Sequence, residues 1–366
     1  MASRALPLLA LLAAAVACAS RVDPRLVAQP IASRTWVSTL HRDHPLVGKI
    51  WDPRAGRFTD EAALAAAVAG ADVVLLGEMH DNVDHHVLQA RLVRAVLVSG
   101  RRPALAFEML TSDQQATVDA ALARAPRDPD AFAKAVAWDE SGWPEFEMYR
   151  PIFQAGLEAG VAVIAANLPR KAVREVVSKG AEALDAPLRA RLAKDEPLPA
   201  PLVESLRAEM RESHCGELPE SLIDPLILAQ RARDAEMAAR VEGAGGRGAI
   251  LIAGRGHVRT DRGVPAYVRR DAPGRKIVSV AFFEVEPGQR EAAAYNEPGE
   301  SGPLPFDYAV FTPGQEREDP CEKLRHGAHE RAAREKAEPR PKEAGPPAGA
   351  APPAAPGTPS PRDGSR

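Results

Sequence analysis

The sharpest change of hydrophobic pattern in the chain falls within residues 71–100. After Asp72 an unbroken apolar run (Val73, Val74, Leu75, Leu76) stops at Gly77. Glu78, Met79, His80, Asp81 and Asn82 follow, and from Val83 to Val98 apolar residues recur at helical spacing. A short β-branched and leucine run closed by glycine predicts a strand buried on both faces. The segment therefore reads as strand, polar turn and helix.

The alternation continues along the chain. A polar entry segment covers residues 34–58, and Thr59 is read as the N-cap of a helix through Val68, with Asp60 and Glu61 placing negative charge in its first turn. Further strands are predicted over residues 103–107, 161–166, 249–253, 276–283 and 308–311. Helices are predicted over residues 112–124, 129–137 and 149–159, through a long stretch at 171–241, and around 264–268. Strands separated by helices imply right-handed crossovers. The fold class is therefore α/β: a mainly parallel central sheet with helices on both faces, one domain with a long helical insertion.

Four successive strands in this reading end in ionisable or amide side chains: Glu78 and His80, then Glu108, then Asn167 and Arg170, then Arg255 and His257. In a parallel sheet those ends share one edge, so residues distant in sequence converge on one pocket. A single Glu or His at a strand end is usually solvated or caps a helix; four together make that reading weak. Gly77 and Gly254 suit tight turns and each precedes a histidine by three residues, giving Gly-x-x-His twice.

The two ends of the chain are set apart by composition. Arg4 precedes the apolar run 5–17, too short for a membrane span but suited to an export signal, and it finishes in Ala15, Val16, Ala17, Cys18. That ending is similar to a bacterial lipobox, with Ala15 where Leu or Val is usual, and would lipidate Cys18. From about Arg331 onward proline, alanine, glycine and charge predominate, predicting a disordered tail. The predicted division is signal and lipobox 1–18, linker 19–35, α/β domain 36–321 and tail 322–366. With a net charge of -3 over 366 residues, no electrostatic argument favours nucleic acid as a partner. Cys215 and Cys321 remain, and in an exported chain they are read as a disulfide; two free thiols, or a metal site using Cys215 beside His214, are the other readings.

The pair of Gly-x-x-His turns with an intervening strand-end glutamate resembles the superfamily of Tiki and TraB proteins and the erythromycin esterases. The fuller wording resembles its ChaN-like haem-binding lipoproteins: LLGEMHDNVDHH from Leu75, ALAFEML from Ala104, AANLPR from Ala165, AQRARDAEMA from Ala229, IAGRGHVR from Ile252, and FDYAVFTP from Phe306 through to DPC at Cys321. The likeness spans roughly residues 48–321. It implies a haem-binding lipoprotein of the bacterial outer membrane or periplasm, lipid-anchored through Cys18. It further implies a homodimer, a role in haem or iron acquisition, and an outer-membrane haem receptor as partner.

The candidate cofactor-binding residues are Glu78, His80, Asp81, His85, Glu108, Tyr149, Arg170, Arg255 and His257. His85 and His86 sit about 100° apart on their helix, so His85 is assigned to the pocket and His86 to solvent. Tyr149 and His214 are further iron-ligand candidates, each also readable as packing or surface. Arg170 and Arg255 suit haem propionates, or a salt bridge to Glu78 or Glu108. Trp143, Phe146 and Met148 are read as ring-facing or as core. Asp234, in the Arg233 to Met237 stretch, either reaches the pocket or faces solvent. The alternative function is a metal-dependent hydrolase, with zinc or manganese on His80 and His257 and a base from Glu78 or Glu108.

Overall fold

Alternate residues of the central strands bury into two different cores, and this period of two sets the architecture. In the computed structural model, which describes residues 23–194, 197–296, 300, 302–319 and 321–322, Val74, Leu76, Leu105, Phe107, Ile250 and Ile252 enter one apolar cluster. Their neighbours Val73, Leu75, Ala106, Ala249, Leu251 and Ala253 enter the other. Both faces of the sheet are thus covered, as parallel strands require.

In chain order, α1 (Pro24–Ala28) leads to a short hairpin, β1 (Ile50–Asp52) and β2 (Arg57–Thr59), and then to α2 (Glu61–Gly70). Next come β3 (Val73–Glu78), α3 (Val83–Val98), β4 (Ala104–Thr111), α4 (Gln115–Arg124), α5 (Pro129–Ala135) and α6 (Phe146–Glu158). They are followed by β5 (Val163–Asn167), α7 (Arg170–Lys179), α8 (Ala186–Ala193), α9 (Ala200–Ser213), α10 (Glu220–Gly243) and β6 (Ala249–Gly254). The series closes with α11 (Val264–Asp271), β7 (Ile277–Glu284) and β8 (Tyr308–Thr312). The sheet order is β2-β1-β8-β7-β3-β6-β4-β5. The strands from β3 to β8 pair in parallel, while β1 runs antiparallel to both β2 and β8. Helices α3 to α6 cover the first core and α7, α8, α10 and α11 the second.

The second core is built for close approach. Ala229, Ala232, Ala235 and Ala238 of α10 are buried against a strand face rich in alanine: Ala106, Ala166, Ala249 and Ala253. Small side chains on both surfaces bring α10 down onto the sheet, which is how its polar residues reach the strand ends.

Several sequence expectations shift. Helix α3 spans the segment predicted for it, capped by Asn82, whose Oδ1 accepts from the N–H groups of Asp84 and His85. The cap of α2 is Asp60 and not Thr59, because the Asp60 carboxylate reaches Ala63 N at 2.8 Å. Strand β4 runs past its predicted end at Phe107 to Thr111, which pairs with Asn167, so Glu108 lies within a strand. The entry segment hides β1 and β2, three residues each and too short to display alternation; Trp51 and Phe58 pack edge to face across them. The predicted linker also contributes to the core: Val27 and Ile31 are buried, and Arg34 pairs with Asp84 of α3.

The chain divides into two units, Met1–Glu318 and Asp319–Arg366. The signal segment with Cys18, and the tail from residue 323, lie outside the described residues. Among the described residues no helix is long and apolar enough to cross a membrane.

Gly77 and Gly254 do not serve left-handed backbone, since neither has a positive φ. Close packing requires them instead. A Cβ on Gly77 would lie 2.2 Å from Val258 Cγ2 and 3.0 Å from Arg255 Cα; one on Gly254 would lie 3.0 Å from His80 Nε2. Gly77→Ala should therefore destabilise the fold by about 1–3 kcal/mol in urea unfolding. A variant as stable as the parent would show that residues 255–258 do not rest on this glycine.

Candidate functional site

The turn after β3 is locked from below. Met79 N donates to His85 Nδ1 at 3.0 Å, which leaves the proton of that ring on Nε2, 2.9 Å from Thr312 Oγ1. Burial holds His85 well below the usual imidazole range, so the ring is neutral and both nitrogens are engaged. His85 is thus a strut beneath the turn and not the pocket residue the sequence suggested. His86, assigned to solvent, is also fully buried and faces Glu78.

Glu78, at the end of β3, is 2 % exposed. Its Oε1 lies 2.9 Å from His80 Nδ1 and accepts from the Tyr149 hydroxyl at 3.0 Å, while Oε2 lies 2.7 Å from His86 Nδ1. Burial pushes this carboxyl up, but the two imidazoles more than offset it and hold the group at about 2. The same contacts raise His80 and His86 against the opposing effect of burial. His86 Nε2 donates to His80 O at 2.9 Å, so the backbone of the turn is tied to the same cation. Tyr149, buried in α6, stays a protonated phenol, because burial and the Glu78 charge both push it up.

Glu108 forms the second half. Its Oε2 accepts from Gly254 N at 2.7 Å, and its Oε1 takes a hydrogen bond from Arg233 Nη2 and lies 3.3 Å from His257 Nε2. On the far side of the imidazole, His257 Nδ1 is 2.6 Å from Asp234 Oδ1. Burial works against a charged His257, yet Glu108 and Asp234 raise it to about 9. Burial also pushes the Asp234 carboxyl up, so the two groups compete for one proton; two flanking carboxylates keep it on His257. Asn167, at the end of β5, bridges the pair: Nδ2 donates to Glu108 O at 2.9 Å and Oδ1 accepts from Arg233 Nε at 3.1 Å.

Above these groups lies a cavity of about 480 Å³, lined by the Glu78, His80, Glu108 and His257 cluster and by apolar Leu206, Met210, Leu226 and Phe306. That size is ordinary for a small-molecule site. The His80 side chain is 34 % exposed, and its ring meets Trp143 edge to face at 4.8 Å. It is the one imidazole of the buried cluster with surface to offer. His257 has both nitrogens against carboxylates, and among the described residues no group of three or more His, Cys, Asp or Glu side chains is arranged to hold a metal ion. The donor set does not fit the zinc or manganese centre considered from sequence.

The predicted site residues therefore separate. Glu78, His80, Glu108 and His257 come together. Tyr149 sits behind Glu78 without lining the cavity. Asp81 is drawn to the surface by Arg317, at 2.8 Å. Arg170 is exposed and donates to Ser141 O, while Arg255 lines the cavity with its guanidinium 4.5 Å over the Phe283 ring. Neither pairs with Glu78 or Glu108; that role falls to Arg233. Phe146 belongs to the core, where Met148 packs against it, and His214 lines the cavity at the end of α9. Cys321 lies in the second unit. Asp234 is buried on His257 and does not face solvent. The sequence signal for α10 was that Asp234 shares a face with Met237 and Ala238 at i, i+3 and i+4 spacing. Nothing local marked His86, because its partner is eight residues away across a turn.

A model of the family described as haem-binding uptake, Tiki superfamily, ChaN matches residues 64–268. Among solved structures, one described as cofacial heme binding to ChaN of Campylobacter jejuni is 22% identical, covering 71% of this chain and 95% of that one, with a TM-score of 0.56. An erythromycin esterase mutant in its open conformation is 16% identical over 80% of this chain and 87% of that one, at a TM-score of 0.38. No curated protein matches.

Two measurements test the site. Because Glu78 titrates near 2 when folded and near 4.5 otherwise, its contribution is complete above about 4.5 and is lost as pH falls toward 2. Tyr149→Phe should reduce stability by about 1–3 kcal/mol near pH 6 and bring acid unfolding to higher pH; identical acid limbs would refute the assigned role of the hydroxyl. His257 has the opposite sign: its contribution is complete below about 6.5 and is lost as pH rises through about 9. Asp234→Asn should move the NMR titration midpoint of His257 downward, and an unchanged midpoint would refute the pairing.

Proposed function

The chain belongs to the ChaN family of haem-binding uptake proteins in the Tiki superfamily, and from that premise we propose that it binds haem at the C-terminal rim of its sheet and serves haem or iron acquisition at the bacterial cell envelope. In this reading the export signal is followed by lipidation of Cys18, which tethers the protein to the outer membrane. Cys215 and Cys321 are bridged in that oxidising compartment. A homodimer and an outer-membrane haem receptor complete the proposal.

The observation that carries it is the family match itself, whose span contains His80, Glu108, Arg170, Arg233 and His257. The site supports haem through chemistry of its own. Bound haem would supply an iron with a position for an imidazole nitrogen. His80 suits that position: its ring is partly exposed, its Nδ1 is fixed on Glu78, and Nε2 remains the nitrogen to present, 3.9 Å from Glu108 Oε2. A carboxylate behind an imidazole sets its tautomer and raises its basicity as a ligand. Tyr149 is buried and donates to Glu78, so its role is to hold that carboxylate. The hydrolase reading loses its support with the metal centre it needed.

Titration of the full chain with haemin should give a saturable Soret band. His80→Ala should shift that band and weaken binding by about tenfold or more. Since His80 is raised above 6.5 and ligation needs the neutral ring, affinity should fall on acidification through that range. A chain that leaves the haemin spectrum unchanged would refute the haem reading, and a band unaffected by His80→Ala would refute the ligand.

A further inference from the structure

A second chamber, about 530 Å³, lies along the same rim beyond β4 and β5, where the chain leaves β4 for helices on one face of the sheet and leaves β5 for α7 on the other. Such diverging connections open a crevice outside the carboxyl ends of strands. Its lining includes Met109, Thr111, Trp143, Arg170, Val173 and Arg174. Val173 and Arg233 line both chambers, so the two adjoin along the rim.

We propose that this chamber seats the carboxylate edge of the haem, with Arg170 and Arg174 as the recognising cations; the inference rests on the haem reading and extends it. Charge decides the assignment. Arg233 is already neutralised by Glu108. Among the described residues neither Arg170 nor Arg174 has an ion pair, whereas Arg150, Arg191, Arg207 and Arg262 each hold carboxylates. Glu140 is the acid in the lining, set against two uncompensated guanidiniums. Both arginines are exposed, Arg170 donating to the Ser141 carbonyl, and a planar guanidinium pairs bidentately with a carboxylate.

Two further features agree. Helix α7 begins at Arg170 with Pro169 as an N-cap that makes no side-chain bond and with no acid in its first turn. Cations at the positive end of a helix repel it unless an anion intervenes. Trp143 walls this chamber and touches the His80 ring of the other at 4.8 Å, so the imidazole position and the cationic position are separated by one indole. Arg255, a propionate candidate from sequence, stacks on Phe283 instead.

The test compares haemin with its dimethyl ester, in which both propionates are blocked, by Soret titration of the full chain. The parent should bind haemin about tenfold more tightly than the ester, a difference of ~1.4 kcal/mol. The double variant Arg170→Ala, Arg174→Ala should lose that preference, bind the ester as the parent does, and keep the parent's Soret wavelength, which reports the iron ligand. Equal binding of haemin and ester by the parent, or an undiminished preference in the double variant, overturns this inference while leaving haem binding intact. Absence of any spectral change with either compound overturns the haem reading and this one with it.

Discussion

Two carboxylates are buried at the rim, Glu78 at the end of β3 and Glu108 within β4, and the arrangement of the rim follows from the need to compensate them. An ionised carboxylate removed from water carries a desolvation penalty of several kcal/mol that only close, well-aligned partners can offset. Glu78 obtains His80, His86 and a tyrosine hydroxyl; Glu108 obtains Arg233, His257 and a backbone N–H. Each partner is thereby held in one orientation. His257 is further pinned by Asp234, and Arg233 by Asn167 and Gln230. The rim is a preorganised charge lattice, and its rigidity comes from the cost of leaving any member unpaired.

Packing makes that lattice possible. Gly77 and Gly254 let the 255–258 segment and the His80 ring lie against the strand ends, where a methyl group would collide. Alanines on α10 and on the facing strand surface bring Gln230, Arg233 and Asp234 within reach of Glu108 and His257. The charged rim and the small-residue core are therefore one design: side chains of modest length meet because the backbones beneath them are close.

The same geometry divides the rim by accessibility. His85, His86 and His257 spend both ring nitrogens on the protein, while His80 keeps an exposed face beside Trp143. One presented imidazole, apolar walls and arginines nearby are the features on which the proposal drawn from family membership rests.

The alternation of apolar runs with helical periods was enough to assign an α/β sheet, because strands buried on both faces cannot tolerate polar residues and must be punctuated by them. It also located Glu78, His80, Glu108 and His257 at one edge, since parallel strands end together. Pairing could not be read the same way. Which of His85 and His86 faces Glu78, that Arg233 and not Arg170 or Arg255 neutralises Glu108, and that residues 24–34 pack into the core all depend on contacts between segments far apart in the chain. The position of a side chain along its own element is a local property written in periodicity; its partner is chosen by how neighbouring elements cross, and that choice exists only in the folded molecule.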